Sequence, residues 1–101
     1  AYAIQKGKYM IEKILTWHPE GKSGVNIDKD KYEQVKETIM QCLSRPDSEW
    51  KFTPLFDAVC KKLDEQGFDG KPGWYMMAVK QDLEARNILR HDRKTKIVSL
   101  V

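Results

Sequence analysis

Four basic residues stand within seven positions near the end of this 101-residue chain: Arg90, Arg93, Lys94 and Lys96. Lys and Arg neutralise phosphates and release their counterions, so such a cluster on a tight hairpin is a candidate phosphate clamp. Lys71, Lys80 and Gln81 lie upstream, and Gln can read an adenine edge. The charge is unevenly spread. Residues 1–70 hold 11 basic and 12 acidic side chains, whereas residues 71–101 hold 7 basic and 3 acidic, out of a net charge of +3. A basic C-terminal third on a near-neutral body is the footprint expected of a nucleic-acid partner. The plainer reading is that a protruding hairpin tip is polar in most proteins.

Aromatic and thioether side chains offer a second chemistry. Trp74 and Tyr75 can stack on bases or grip a protein, although aromatics at the start of a helix packed on two others belong more often to the core. Met76 and Met77 point about 100° apart on a helix, which leaves one free to face an adaptable protein interface. Trp74, Met76 and Met77 are thus the alternative, partner-binding set. Catalysis has little to work with. Gly21-Lys22-Ser23 lacks the glycine a phosphate loop needs five residues earlier, where Thr16 stands, and it follows an expected helix rather than a strand. His18 and His91 fit no metal-ligand or catalytic spacing, and His18 reads as a turn residue before Pro19. Cys42 and Cys60 are too few for a disulfide framework and fall on apolar faces, as buried free thiols. No enzyme, metal or cofactor is expected.

The elements that must position these residues follow from periodicity. Met10, Ile11, Ile14 and Leu15 predict a helix over residues 5–16, stopped by Pro19 and Gly21, with Trp17 folding back onto the core. Residues 21–26 read as a turn or loop. Tyr32, Val35, Ile39, Cys42 and Leu43 make one stripe of a second helix, capped by Asp28 or Asp30 and ended by Arg45-Pro46-Asp47. Residues 49–52 alternate as a short extended piece. Thr53-Pro54 reads as an N-cap and first turn, followed by Leu55, Phe56, Val59, Cys60 and Leu63 on a buried face, with Gly67 as a left-handed cap. Residues 67–73 form a loop, residues 74–86 a further helix, and Asn87 a left-handed end. Two strands, 88–91 and 96–100, flank the polar turn Asp92 to Thr95.

The length predicts one domain over residues 1–101, with a helix and loop over 1–27 and a core over 28–101. No apolar run approaches the roughly 20 residues of a membrane span and no secretory leader is visible, so a cytoplasmic protein is expected. The fold class expected is α+β, mostly α: helix, short strand, helix, loop, helix and terminal hairpin is the order of a winged helix, a helix-turn-helix with a β-hairpin wing and here an extra N-terminal helix. Leu83-Glu-Ala-Arg-Asn-Ile-Leu-Arg-His91 resembles a recognition helix running into the first wing strand. More closely, three pieces of residues 15–100 resemble an uncharacterised family of small bacterial winged-helix-like proteins: His18-Pro-Glu-Gly21 with Asp28 to Tyr32, Phe52-Thr-Pro-Leu-Phe56, and Trp74-Tyr75 with Val79-Lys-Gln-Asp-Leu-Glu-Ala85. The resemblance implies a fold and no established activity. The function expected is binding of double-stranded DNA, as in a transcriptional regulator, through helix 74–86 and wing 88–100, with homodimerisation through the N-terminal helix. The alternative is a protein-interaction module, and a weaker third is an enzyme or ligand sensor using an enclosed pocket between the N-terminal helix and the rest. One departure stands against the strict pattern: about ten residues, Asp64 to Gly73, join two helices that a helix-turn-helix joins with three or four.

Overall fold

The computed structural model describes residues 12–44 and 49–101. Among these residues it is a small α+β protein with three helices and two small antiparallel sheets. The elements are β1 (Lys13–Leu15), β2 (Asn26–Asp28), α1 (Lys29–Leu43), β3 (Trp50–Lys51), α2 (Phe52–Glu65), α3 (Pro72–Ala85), β4 (Leu89–His91) and β5 (Ile97–Leu100). β1 pairs with β2, and a second sheet has the order β3-β5-β4.

The helical stripes meet as the periodicity demands. Tyr32, Val35, Ile39, Cys42 and Leu43 of α1 pack with Leu55, Val59 and Leu63 of α2 and with Met76, Val79 and Leu83 of α3. Each such side chain, fully buried, contributes about 1.5–3 kcal/mol. The register Trp50↔Val98 and His91↔Val98 puts these three residues on the sheet's inner face, leaving Lys51, Arg90 and Ser99 on the other. The ends of α2 and α3 share one device. Phe68 and Gly67 donate back to Leu63 and Asp64, Ile88 and Asn87 donate back to Leu83 and Glu84, and Gly67 (φ +72°) and Asn87 (φ 61°) take the left-handed conformation expected of them.

Several expectations are corrected. Of the helix over 5–16, residues 5–11 lie outside the described residues, and Lys13–Leu15 is a strand whose carbonyls and amides are taken by β2. The stretch 21–26 is therefore the turn of a hairpin and the start of its second strand. Gly24 is needed there, since a Cβ would lie 1.6 Å from the Thr16 carbonyl oxygen. Asp28 stands at the N-cap of α1, but its side chain makes no capping hydrogen bond and faces Lys13 at 3.6 Å, while Asp30 sits in the first turn. The stop at 45–47 lies outside the described residues. α2 begins one residue before Thr53, because the Phe52 amide is held by the Lys96 carbonyl at 2.8 Å. α3 begins at Pro72, where a missing N–H leaves no hydrogen bond unmade. The α2–α3 connection thereby shortens to residues 66–71. Cys42 is buried and Cys60 half-buried, both as free thiols whose pKa values burial pushes up.

Candidate functional site

The terminal hairpin holds its cations on a well-made turn. Asp92 Oδ1 accepts from the amides of Lys94 at 2.8 Å and Thr95 at 3.3 Å, and these bonds hold its carboxyl below the usual range. The Lys96 amide closes the turn onto the Asp92 carbonyl at 2.7 Å. This forces Lys96 to φ 63°, a left-handed conformation uncommon for a residue with a Cβ. Arg90, Lys94 and Lys96 are exposed and make no ion pair among the described residues.

Arg93 is different. Its Nη2 reaches Glu84 Oε1 at 3.2 Å and its Nη1 lies 2.8 Å from His91 Nδ1. A guanidinium only donates, so Nδ1 accepts and the imidazole is neutral with its proton on Nε2. His91 stacks on Phe52 at 5.4 Å between ring centroids. Lys80 completes the cluster. It is 1% exposed, its Nζ is 2.8 Å from Glu84 Oε2, and it lies 4.9 Å from the centre of the Phe52 ring. Burial lowers the Lys80 pKa, opposed by Glu84. Burial, then Lys80 and Arg93, lower that of His91. Phe52, Thr53, Met77, Lys80, His91, Arg93 and Lys96 line an open cleft of about 300 Å³.

A second polar cluster lies further along α3. Asp82, wholly buried, accepts from the Trp17 amide at 2.7 Å, from the Tyr32 hydroxyl, and from Arg86 Nε at 2.9 and 3.0 Å. The Arg86 guanidinium lies 4.1 Å from the centre of the Trp17 ring. Burial, with the bond to Asp82, raises the Tyr32 pKa well above the ordinary phenol value. These bonds lay the β1–β2 hairpin on α3. The expectation that Trp17 folds into the core is corrected: it remains 52% exposed, flattened under Arg86.

The sequence-derived site residues therefore separate. Met76 is packed in the core with α1 and α2, and Lys80, 1% exposed, is withdrawn from the outer face of α3 against Phe52 and Glu84 at the wall of the cleft. In residues 72–85 only Trp74 is exposed, at 49%, while Tyr75 packs on the core and Met77 and Gln81 are half-buried. Lys71 is exposed at the start of α3. Trp17, Trp74, Met77 and Gln81 line a shallow groove of about 160 Å³. Gly21-Lys22-Ser23 does follow a strand, contrary to expectation, but it leads into a second strand and not the helix a phosphate loop requires. His18 Nδ1 accepts from the Glu20 amide at 3.1 Å, as a turn residue does. Sequence reasoning missed Asp82, Glu84 and Arg86. Their signal was present as the i,i+4 pairs Lys80–Glu84 and Asp82–Arg86.

Among the described residues, no helix is long and apolar enough to cross a membrane, and no group of three His, Cys, Asp or Glu side chains could hold a metal. No curated protein and no solved structure matches the chain. A family model described as a family of unknown function (DUF6958) matches residues 13–100. With nearly its whole length covered, the chain belongs to that family.

Proposed function

We propose that this is a winged-helix protein that binds the nucleic-acid backbone through its terminal hairpin, as a cytoplasmic DNA-binding regulator would. The observation that carries the reading is the set of exposed cations Arg90, Lys94 and Lys96, unpaired among the described residues, on a hairpin whose turn is bonded by Asp92. The helix and strand order, with β5 between β3 and β4, supports the winged-helix assignment. The groove-reading role expected of α3 is narrowed, since only Lys71 and the half-buried Gln81 are left to contribute from that region. Backbone contact without much base readout is the consequence.

Fluorescence anisotropy with random-sequence duplex DNA at about 50 and 200 mM salt tests this. A protein contacting several phosphates loses orders of magnitude in affinity across that range. Arg90→Glu with Lys94→Glu is expected to abolish binding. No binding at the lower salt by folded protein would sink the reading.

A second reading rests on a separate observation. Leu15, Trp17 and Trp74 are 58%, 52% and 49% exposed, an apolar edge beside the Trp17–Trp74 groove that suits a protein partner. Trp17→Ser and Trp74→Ser would leave duplex binding intact and abolish that partner's binding.

A further inference from the structure

We infer that the cleft beneath the hairpin is a site for a terminal phosphate monoester, the dianionic group of a small organic phosphate or of a nucleic-acid chain end. Four groups able to carry positive charge, Lys80, His91, Arg93 and Lys96, line about 300 Å³, a volume at the lower end of small-ligand sites. Among the described residues Glu84 is the one carboxylate bonded to these side chains, shared by Lys80 and Arg93. The cations lining the cleft outnumber it, a positive surplus that a dianion balances better than a monoanion. Thr53 adds a hydroxyl, and Phe52 and Met77 give an apolar wall for the group the phosphate is attached to.

Lys80 is buried close to His91 and Arg93, the two cations Lys80 and Arg93 held together by the Glu84 they share, and Lys96 is held by its left-handed conformation beside the same cleft. His91 supplies the internal reporter. In the unliganded cleft its Nδ1 accepts from Arg93. A phosphate offers both groups an acceptor, so Arg93 turns to the oxygens, His91 takes a proton, and both then donate. The charged and titratable groups acting on His91 are Lys80, Arg93, Glu84 and Asp92. Of these, Arg93 alone is displaced when a phosphate binds, and its move and the charge of the anion both raise the His91 pKa, which therefore reports occupancy of the cleft.

The proposal deepens the nucleic-acid reading without depending on it, because Arg90 and Lys94 lie outside the cleft. The experiment titrates the full chain with phenyl phosphate, and with benzenesulfonate as a monoanion of similar shape, following the His91 ring by NMR. Saturable binding of phenyl phosphate, a raised His91 pKa and weaker binding of benzenesulfonate are expected. Arg93→Ala and Lys96→Gly, both at an exposed turn, should each weaken phenyl phosphate about tenfold or more, while Arg90→Glu with Lys94→Glu should not. Absence of saturable binding, or binding indifferent to both cleft changes, overturns the proposal. Single-stranded oligonucleotides with a 5′-phosphate or a 5′-hydroxyl identify the source. A preference for the phosphorylated end assigns the site to chain termini, and equal affinity assigns it to small organic phosphates.

Discussion

The two hairpins are fastened to the same helix by the same chemistry, with opposite outcomes. The β1–β2 hairpin is held by Asp82 and the β4–β5 hairpin by Glu84, each carboxylate paired with a cation four residues away. Asp82 spends its oxygens entirely inside the protein, on Trp17, Tyr32 and Arg86. Glu84 holds one buried lysine and one arginine whose side chain is 66% exposed. The first cluster is a closed latch. The second leaves charged donors at the edge of a cleft, where a ligand can compete for them.

That contrast predicts the largest effect at Asp82. Asp82→Ala leaves Arg86 and the Tyr32 hydroxyl without their acceptor and unfastens the Trp17 amide. Removing one member of a buried ion pair costs about 3–5 kcal/mol, a large share of the 5–15 kcal/mol typical of a domain. Urea unfolding should show the loss, and phenyl phosphate binding by the fraction still folded should be unchanged. An Asp82→Ala protein as stable as its parent would show that the first latch holds nothing.

Glu84→Gln is expected to cost less, about 1–3 kcal/mol, since a neutral oxygen still accepts from Lys80. Because it also removes the one carboxylate bonded into the cluster, it should tighten phenyl phosphate binding severalfold. Isothermal titration on the same preparation measures the second effect, and unchanged or weaker affinity would contradict the idea that Glu84 stands in for a ligand.

Much of this was legible in the sequence, and the exceptions have physical reasons. The stripes of α1 and α2, the left-handed Gly67 and Asn87 and the terminal hairpin all follow from local rules, which read spacing and backbone preference. Ile14 and Leu15 continue a 3–4 spacing that predicts helix over residues 13–15. What decides them is pairing with Asn26–Asp28, a contact across a turn that periodicity does not see. Lys80 looked like a surface cation for a related reason. A lysine is buried only when something pairs with it, and Glu84 one turn on was the visible partner. Which pairs would be buried depends on where the hairpins land, and nothing local to α3 states that.

Lys96→Gly sharpens the comparison from the backbone side. A left-handed residue with a Cβ costs about 1 kcal/mol more than glycine, so this change should raise the midpoint of thermal unfolding while weakening the anion. The analogous Asn87→Gly should stabilise less, since Asn tolerates the conformation, and should leave binding alone. Stability and binding moving in opposite directions at Lys96 alone would mark its conformation as retained for the site. Both moving down would mean that the lysine side chain is part of the packing.

The smallest expected effect is the most diagnostic of the open cluster. His91 titrates below its ordinary value of 6.5 in the folded protein, chiefly through burial and then through Lys80 and Arg93. As pH falls past about 6.5 the unfolded chain takes up this proton first. The contribution of His91 is therefore present above that pH and is lost as pH falls through the lower folded value. Solvent around the half-exposed ring keeps the loss small. In His91→Phe, which preserves a flat ring against Phe52, this component of the acid-side slope should disappear. Saturating phenyl phosphate should shrink it in the parent protein as well, because an anion that raises the folded pKa brings the two states together. The closed latch offers no such response, since the ligand does not touch Asp82. A slope that phosphate leaves unaltered, in a protein whose slope His91→Phe does remove, would place His91 in the packing of the hairpin and outside the binding of the anion.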